Sequence, residues 1–568
     1  MLFIFKNIKT LNKFLSKIKS LIPKNKRKKM PFFFLISIIN SLLDFISIAF
    51  LTPFLLLIID KEKVNDFLYS SFEIKFNEKY LLHSLICLVL FYLIKNLIQA
   101  KITLSQSKYL YGIGTSLSKK LIRNFIYGNY SFYSNTDKGK LIRDFHRLPV
   151  IFITNILLPL YHLISESFIL LLITSVGFFL NPKITGVSII LVVLSSFVLI
   201  QTKKNKTKKI NKTTSITYQS TINNLMNILN GFIEIKSSES EEFFINKFDR
   251  SNTKHNNVIA ELNTTKQNSI RYLEILTILL ISFFLLFLFL NSIDFKNLIL
   301  LSFFGSAIIK IIPSFNKLIN SYIDINSNIH AIDILTTYNN ETKKKHECLF
   351  NENIKINDIS YNYLNKKSII NNLSLEINKG EFIVITGKSG CGKTTLLHII
   401  AGLISPKNGE IIIDDNIRIA NEILPFTYML AQQPFIFQGT LLENITMNTN
   451  NVIDYKYINE LINELDLKNW VSTLSNGLNT ELNLDSKTIS GGQKQRIALL
   501  RALYSRPSLL IMDEATNQLN TELEIKILQY LEKKVLQNKL TIISSFHNKI
   551  ALEYASKHYS FDNHSNNF

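Results

Sequence analysis

Three short stretches of this chain carry residue types at spacings that could do chemistry. The first, "GKSGCGKTT", spans residues 387 to 395 and matches G-x-x-x-x-G-K-[ST] at Gly387, Gly392, Lys393 and Thr394. Backbone N–H groups of such a turn, here Lys388, Ser389, Gly390, Cys391 and Gly392 running into Thr395, can wrap the phosphates of a nucleotide. Lys393 can reach the β- and γ-phosphates, and the Thr394 hydroxyl can bind Mg²⁺. The second, "LLIMDEAT", delivers Asp513 and Glu514 at the end of an apolar run. Two carboxylates there are costly unless they meet a cation, so Asp513 is the expected Mg²⁺ partner and Glu514 the expected base for an attacking water. Standing alone, the pair could also be a plain acidic strand end. The third, "TISGGQKQR", residues 488 to 496, is another Gly-rich turn headed by Ser490.

These stretches need elements to hold them. "EFIVITGKSGCGKTTLLHIIAGL" reads as strand, turn and helix in that order, and "SLLIMDEA" as a second strand. From the charged joint "NNETKKKHE" onward, short β-branched runs alternate with helical patterns, which predicts a mixed α/β domain with parallel strands over residues 346–568. Residues 1–345 have a different texture. Apolar runs near 32–59, 81–100, 152–180, 184–201, 271–290 and 297–322 are each long enough for a helix crossing ~30 Å of hydrocarbon, which predicts six spans. The long loops at 101–150 and 202–270 are Lys-rich and read as helix continuing beyond the bilayer, with an interruption near Gly231. Positive-inside counting puts both termini, both long loops and the α/β domain in the cytoplasm, with the chain in the inner membrane. Residues 1–30 hold ten Lys/Arg and no Asp or Glu, and read as a retained cytoplasmic segment rather than a cleaved signal.

Composition narrows the classes. With 568 residues, 47% of them hydrophobic, the chain is expected to hold at least two domains. Its net charge of +21 comes from lysines gathered beside the apolar runs, so membrane lipid rather than nucleic acid is the expected partner. Cys87, Cys348 and Cys391 are far apart, with no CxxC pair, giving neither a disulfide framework nor a zinc site.

Taken in order and spacing, "GKSGCGKTT", "ISGGQKQR" and "LLIMDEAT" resemble the nucleotide-binding domain of ATP-binding cassette (ABC) proteins. With six spans ahead of it, the chain resembles an ABC exporter half-transporter. The resemblance implies that Tyr363 in "SYNY" stacks on adenine, that Gln432 in "MLAQQPFIF" links Mg²⁺ and water to the membrane domain, and that His547 in "TIISSFH" contacts the γ-phosphate. It also implies that Ser490, Gly491, Gly492 and Gln493 face the ATP bound to a second half-transporter, most simply in a homodimer. The chain departs from the pattern at Asn520, where Asp is usual, at Asn548, where Arg is common, and at Leu484 and Ser486 before the signature turn.

Within the exporters, "LLDFISIAFLTPFLLLI", "YGNYSFYSNTDKGKLIRDF", "LLPLYHLISES" and "AIIKIIPSFNKL" resemble flippases of lipid-linked oligosaccharides or polysaccharide precursors. The expected substrate is therefore amphipathic, a lipid-linked saccharide first; a general lipid, drug or peptide exporter is the alternative. A peptide-processing exporter would add an N-terminal protease domain with a catalytic Cys, and the first cysteine here is Cys87. More distant readings are an ABC-scaffold channel or regulator, which usually tolerates a degenerate catalytic carboxylate, and a soluble DNA-repair ATPase. Ionisable residues inside the spans suggest function or pairing. Asp44 and Lys310 are expected near mid-depth, with Glu166 at a comparable level, His162 one turn from it, and Lys95 snorkelling nearer the cytoplasm. Asp44 or Glu166 could neutralise Lys310, or Lys310 could meet an anionic group of the substrate.

Overall fold

The structure, a computed structural model, describes residues 8–59, 78–128, 130, 136–290, 295–338, 349–363, 368–414, 416–418, 426–447, 452–482, 489–546 and 549–561. The chain divides into two compact units, residues 1–127 with 136–342 and residues 128–135 with 343–568.

The first unit is helical. After α1 (Ile8–Leu21) and α2 (Lys24–Arg27) come six long helices, α3 (Met30–Ile59), α4 (Glu78–Ile126), α5 (the composite Lys138–Leu180), α6 (Pro182–Asn230), α8 (Glu241–Leu290) and α9 (Phe295–Thr337), with the short α7 (Phe232–Ser237) after Gly231. Among the described residues, three stretches are long and apolar enough to cross a membrane: Lys24–Leu56, Leu82–Ile126 and Lys138–Leu180. At ~1.5 Å per residue the 49 residues of α4 run about 74 Å, more than twice the hydrocarbon thickness, so the apolar run 81–100 is only part of its helix. Two π turns, Arg143–Arg147 and Ile153–Leu157, interrupt α5. In each the next N–H, of Leu148 or Leu158, reaches back five residues, and each lies directly before a proline, Pro149 or Pro159, that has no N–H to give. A buried cluster joins Phe14, Ile18 and Leu21 of α1, Ile113 and Leu117 of α4, Phe152 and Tyr161 of α5, and Ile332 and Leu335 of α9.

The second unit is built on a parallel sheet with strand order β11-β3-β10-β9-β6, from β3 (Phe382–Thr386), β6 (Thr427–Leu430), β9 (Leu509–Asp513), β10 (Thr541–Ser545) and β11 (Lys557–Ser560). A second, antiparallel sheet has the order β2-β1-β4-β5, from β1 (Asn353–Tyr361), β2 (Ile370–Asn378), β4 (Asn408–Ile413) and β5 (Asn416–Arg418), and a short antiparallel pair joins β7 (Gly439–Thr440) to β8 (Glu481–Leu482). Strands β9 and β10 are buried throughout, as a sheet covered on both faces requires. Side chains alternate between the two covering layers: Phe382 and Val384 enter one core, Ile383 and Ile385 the other. Of the residues described between α4 and α5, Gly128 and Tyr130 group with this unit. The reason is packing, since the Tyr130 ring lies 5.1 Å from that of His398 and against the same apolar cluster.

Candidate functional site

The C-terminal ends of parallel strands β3 and β9 bring the first two chemical stretches to one edge of the sheet. After β3 the chain turns through Gly387, Gly390 and Gly392, at φ of +152°, +79° and +115°, and enters α10 (Lys393–Ile400). Two of these glycines are required by space as well as by φ. A Cβ on Gly387 would stand 2.8 Å from Phe561 Cβ and 3.0 Å from Cys391 Sγ, and one on Gly392 would stand 2.7 Å from Ile369 Cγ2. Lys393 is buried, and its ammonium donates to the carbonyls of Gly387 (2.7 Å) and Lys388 (3.1 Å), so its charge is held inside the loop. Thr394 is exposed at the head of α10, whereas Thr395 is buried with its hydroxyl 3.3 Å from that of Tyr363. Tyr363 thus sits over the start of the helix. Further along α10, burial holds His398 below its ordinary pKa, although the charge of Asp513 pulls the other way.

Asp513, 5% exposed, accepts a hydrogen bond from Ser545 Oγ at 2.7 Å, its direct partner in the β9–β10 register. Glu514 follows with φ +51°, a left-handed conformation unusual for a carboxylate residue, and its N–H donates to the Ser545 carbonyl at 3.2 Å. That turn carries the Glu514 side chain to Gln432, whose Nε2 donates to it at 2.7 Å, and to Asn517, whose Nδ2 donates at 3.0 Å. Gln432 follows β6 in an exposed loop. The sequence reading missed Ser545 and Asn517. Asn517 stands three residues beyond Glu514, a local signal, but Ser545 becomes visible only through strand pairing. It also missed Arg501, a buried guanidinium that donates to the carbonyls of Phe435 (2.7 Å) and Asn444 and so braces the loop beyond Gln432.

The donors Thr394, Gln432 and Asp513 are oxygen groups, the kind Mg²⁺ takes alongside phosphate oxygens and water. Among the described residues no group of three His, Cys, Asp or Glu side chains could hold a metal by itself. His547 and Asn548, and Leu484 and Ser486, lie outside the described residues.

Ser490 heads α14 (Gly491–Tyr504), the helix that follows α11 (Leu441–Thr446), α12 (Tyr455–Glu464) and α13 (Lys468–Thr473). It forms a reciprocal cap: Ser490 Oγ accepts from Gln493 N at 3.2 Å, and Gln493 Oε1 accepts from Ser490 N at 2.8 Å. Gln493 is therefore a capping residue in this chain, with its side-chain oxygen turned back to the backbone N–H of Ser490. A cavity of about 510 Å³ opens over this turn, lined by Ser490, Gly491, Gly492 and Arg496, by residues 518–520 and by Leu523. No residue of 387–395 lines it. Asn520 caps α15 (Thr521–Leu536) by accepting from Leu523 N at 3.1 Å, which Asp would do equally well.

In the first unit, Asp44 of α3 is the counter-ion of Lys310, at 2.5 Å, so Glu166 is not. The same carboxylate also accepts from Lys95 Nζ (3.1 Å) and Gln99 Nε2 (2.9 Å). Lys95 is 7% exposed and also reaches Ser47 Oγ, which corrects the expectation that it snorkels toward the interface. The reason is its partners: the Asp44 carboxylate and the Ser47 hydroxyl of α3 meet its charge inside the unit, so the side chain is held there instead of extending along α4. Glu166 pairs with Lys317 at 2.9 Å, a lysine the sequence reading had not singled out.

Residues 370–517 match the family described as ABC transporter. A Rickettsia typhi protein named as an export ATP-binding/permease protein is 38% identical over 201 residues, 35% of this chain and 34% of its own length. The lactococcin-A transport/processing ATP-binding protein LcnC of Lactococcus lactis subsp. lactis is 33% identical over 235 residues, 41% of this chain and 33% of its own. The chain thus spans about a third of the length of the curated relatives it matches. A solved bacterial Atm1-family ABC exporter with ATP bound superposes with a TM-score of 0.74 over 92% of each chain at 16% identity, which shows that this chain has that exporter fold.

Proposed function

We propose that the chain is one half of an ATP-driven exporter that works as a dimer, most simply of two identical chains, in the cytoplasmic membrane. The observation that carries this reading is the separation of the two phosphate-binding turns within one chain, since the cavity over the Ser490 turn contains no residue of the 387–395 loop. A second copy would bring its Ser490 turn to the phosphates held by the first.

In this reading the loop amides and Lys393 bind the phosphates of ATP, and the Gly491 and Gly492 N–H groups of the partner copy close over the γ-phosphate at the positive end of a helix. Thr394, Asp513 and Gln432 would hold Mg²⁺, which neutralises phosphate charge. Glu514 takes the proton of a water whose oxygen bonds to the γ-phosphorus as the bond to the β–γ bridging oxygen breaks, giving ADP and phosphate. Gln432 and Asn517, both donating to Glu514, hold that carboxylate in place. Loss of the γ-phosphate removes the charge that bridges the two copies, so they part and the membrane helices reset.

The cargo in this reading is amphipathic, a lipid-linked saccharide first, on the sequence likeness of the membrane helices to flippases and on the two lysines gathered around Asp44. The broader reading, a general lipid, drug or peptide exporter, draws on relatives named only for export or for lactococcin transport. The test is reconstitution of the full chain in proteoliposomes with ATP and Mg²⁺. Glu514→Gln should bind ATP and lower hydrolysis by about 10²–10⁴-fold, and polyprenyl-linked glycans should stimulate the wild type. A Glu514→Gln protein that hydrolyses at the wild-type rate removes the assigned base. Stimulation by drugs or peptides but not by glycans selects the broader reading.

A further inference from the structure

We infer that the segment from α1 to the start of α3 is a binding site for the phosphate headgroups of anionic phospholipids. Helix α1 is amphipathic, and three of its apolar residues are committed to the protein. Phe14, Ile18 and Leu21 are buried against the core of the first unit, and Lys17 is tied to Asp333 of α9. The link to α2 is fixed as well, since the Arg27 guanidinium donates to the carbonyls of Lys19 and Ile22 at the end of α1, and the Tyr109 hydroxyl donates to the Lys26 carbonyl at 2.9 Å. With Phe14, Ile18, Leu21 and the turn committed to the protein, the lysines that remain on the outside are held rather than trailing.

Lys13, Lys19, Lys24, Lys28 and Lys29 are all exposed, and residues 1–30 contain no carboxylate side chain to offset them. What surrounds this charge selects the ligand. Three residues beyond Lys29, about 4.5 Å along a helix, Phe32 is 59% exposed, and Leu35 follows at 55%. The cationic surface therefore ends where an outward-facing apolar surface begins. That order, ammonium groups and then exposed hydrocarbon within one turn, matches the order of phosphate and acyl chain in a phospholipid. A nucleic acid or an acidic peptide would match the charge but not the adjoining Phe32 and Leu35.

The test uses the full chain in nanodiscs of phosphatidylcholine with about one quarter phosphatidylglycerol, followed by native mass spectrometry of the lipids retained. A variant carrying Lys19→Gln, Lys24→Gln, Lys28→Gln and Lys29→Gln is compared with one carrying Arg at the same four positions. A lysine near an anionic surface is worth about fivefold in binding. The Gln variant should therefore lose at least about tenfold in phosphatidylglycerol retention, while the Arg variant keeps it. Phosphatidylcholine retention should change in neither. If the lysines served only to orient the chain during insertion, the purified Gln variant would retain phosphatidylglycerol as the wild type does, and the inference would fall. It would fall equally if the wild type showed no preference for phosphatidylglycerol over phosphatidylcholine.

Discussion

Neutralising Asp44 and neutralising Lys310 should have unequal effects, although the two side chains are partners. Asp44 is 14% exposed at its side chain and bonds to Lys310, Lys95 and Gln99; the lysine side chains are 23% and 8% exposed. One carboxylate among two ammonium groups leaves a local charge of +1. In Lys310→Met that charge falls to zero, because Asp44 keeps Lys95 and Gln99, and a flexible apolar chain of similar length takes the vacated space. The expected cost is within about 1 kcal/mol. In Asp44→Asn the charge rises to +2, with two ammonium groups left around a neutral amide. Removing one partner of a buried pair costs about 3–5 kcal/mol; the partial exposure of Lys310 puts the expectation at the lower end. A gap of about 2 kcal/mol corresponds to a factor of about 30 in an equilibrium constant. The assay is the heating midpoint of the full chain in nanodiscs, followed by size exclusion. Asp44→Asn should melt several degrees below Lys310→Met, and Asp44→Asn combined with Lys310→Met should recover part of the loss by returning the charge to +1. Equal melting of the two single variants, or a double variant worse than Asp44→Asn, would refute the shared-carboxylate account. Folded Lys310→Met protein then serves a second question: if Lys310 meets an anionic group of the cargo, Lys310→Arg transports and Lys310→Met loses cargo-stimulated hydrolysis.

Three further outcomes are expected. In mixed dimers, a Lys393→Ala chain paired with a Ser490→Arg chain should retain about half the wild-type hydrolysis, because both defects fall in one composite site and leave the other intact; mixed dimers as inactive as either parent would count against the shared geometry. Gly392→Ala should lose more ATP affinity, read with a fluorescent ATP analogue, than Gly390→Ala. Both sit at positive φ, but only the first places a Cβ against Ile369, the second having nothing within 4 Å. Asn520→Ala should lower stability of the chain by about 1 kcal/mol through loss of the α15 cap, whereas Asn520→Asp should leave stability unchanged, so any shift in hydrolysis in the Asp variant would report the contact between copies.

What the sequence made legible follows from how local each signal is. The turn at 387–395 and the strand ending in Asp513 are each encoded within about a dozen consecutive residues, and each stands where the pattern put it, whereas the Ser490 stretch, read as a turn, proves to be the cap of a helix. The acid pair was legible as residue types, but its geometry was not. Ser545 reaches Asp513 only because β10 pairs with β9 in a register that sets residues 32 positions apart side by side. The left-handed turn at Glu514, which aims its carboxylate at Gln432, is likewise set by pairing, since its N–H is held by the Ser545 carbonyl. Lys95 shows the same limit in the helical unit. Its depth was counted along one apolar run, which carries no information about the Asp44 and Ser47 side chains that face it from α3. Where a lysine faces the inside of a helical unit, the cost of its charge is met sideways, by a neighbouring helix, and the sequence of α4 holds no record of which residue of α3 will face it. The same reasoning makes the Asp44 variants the sharper probe of this fold. The cassette turns report what one stretch of chain can do alone, whereas Asp44 reports whether α3, α4 and α9 meet at the level the structure places them.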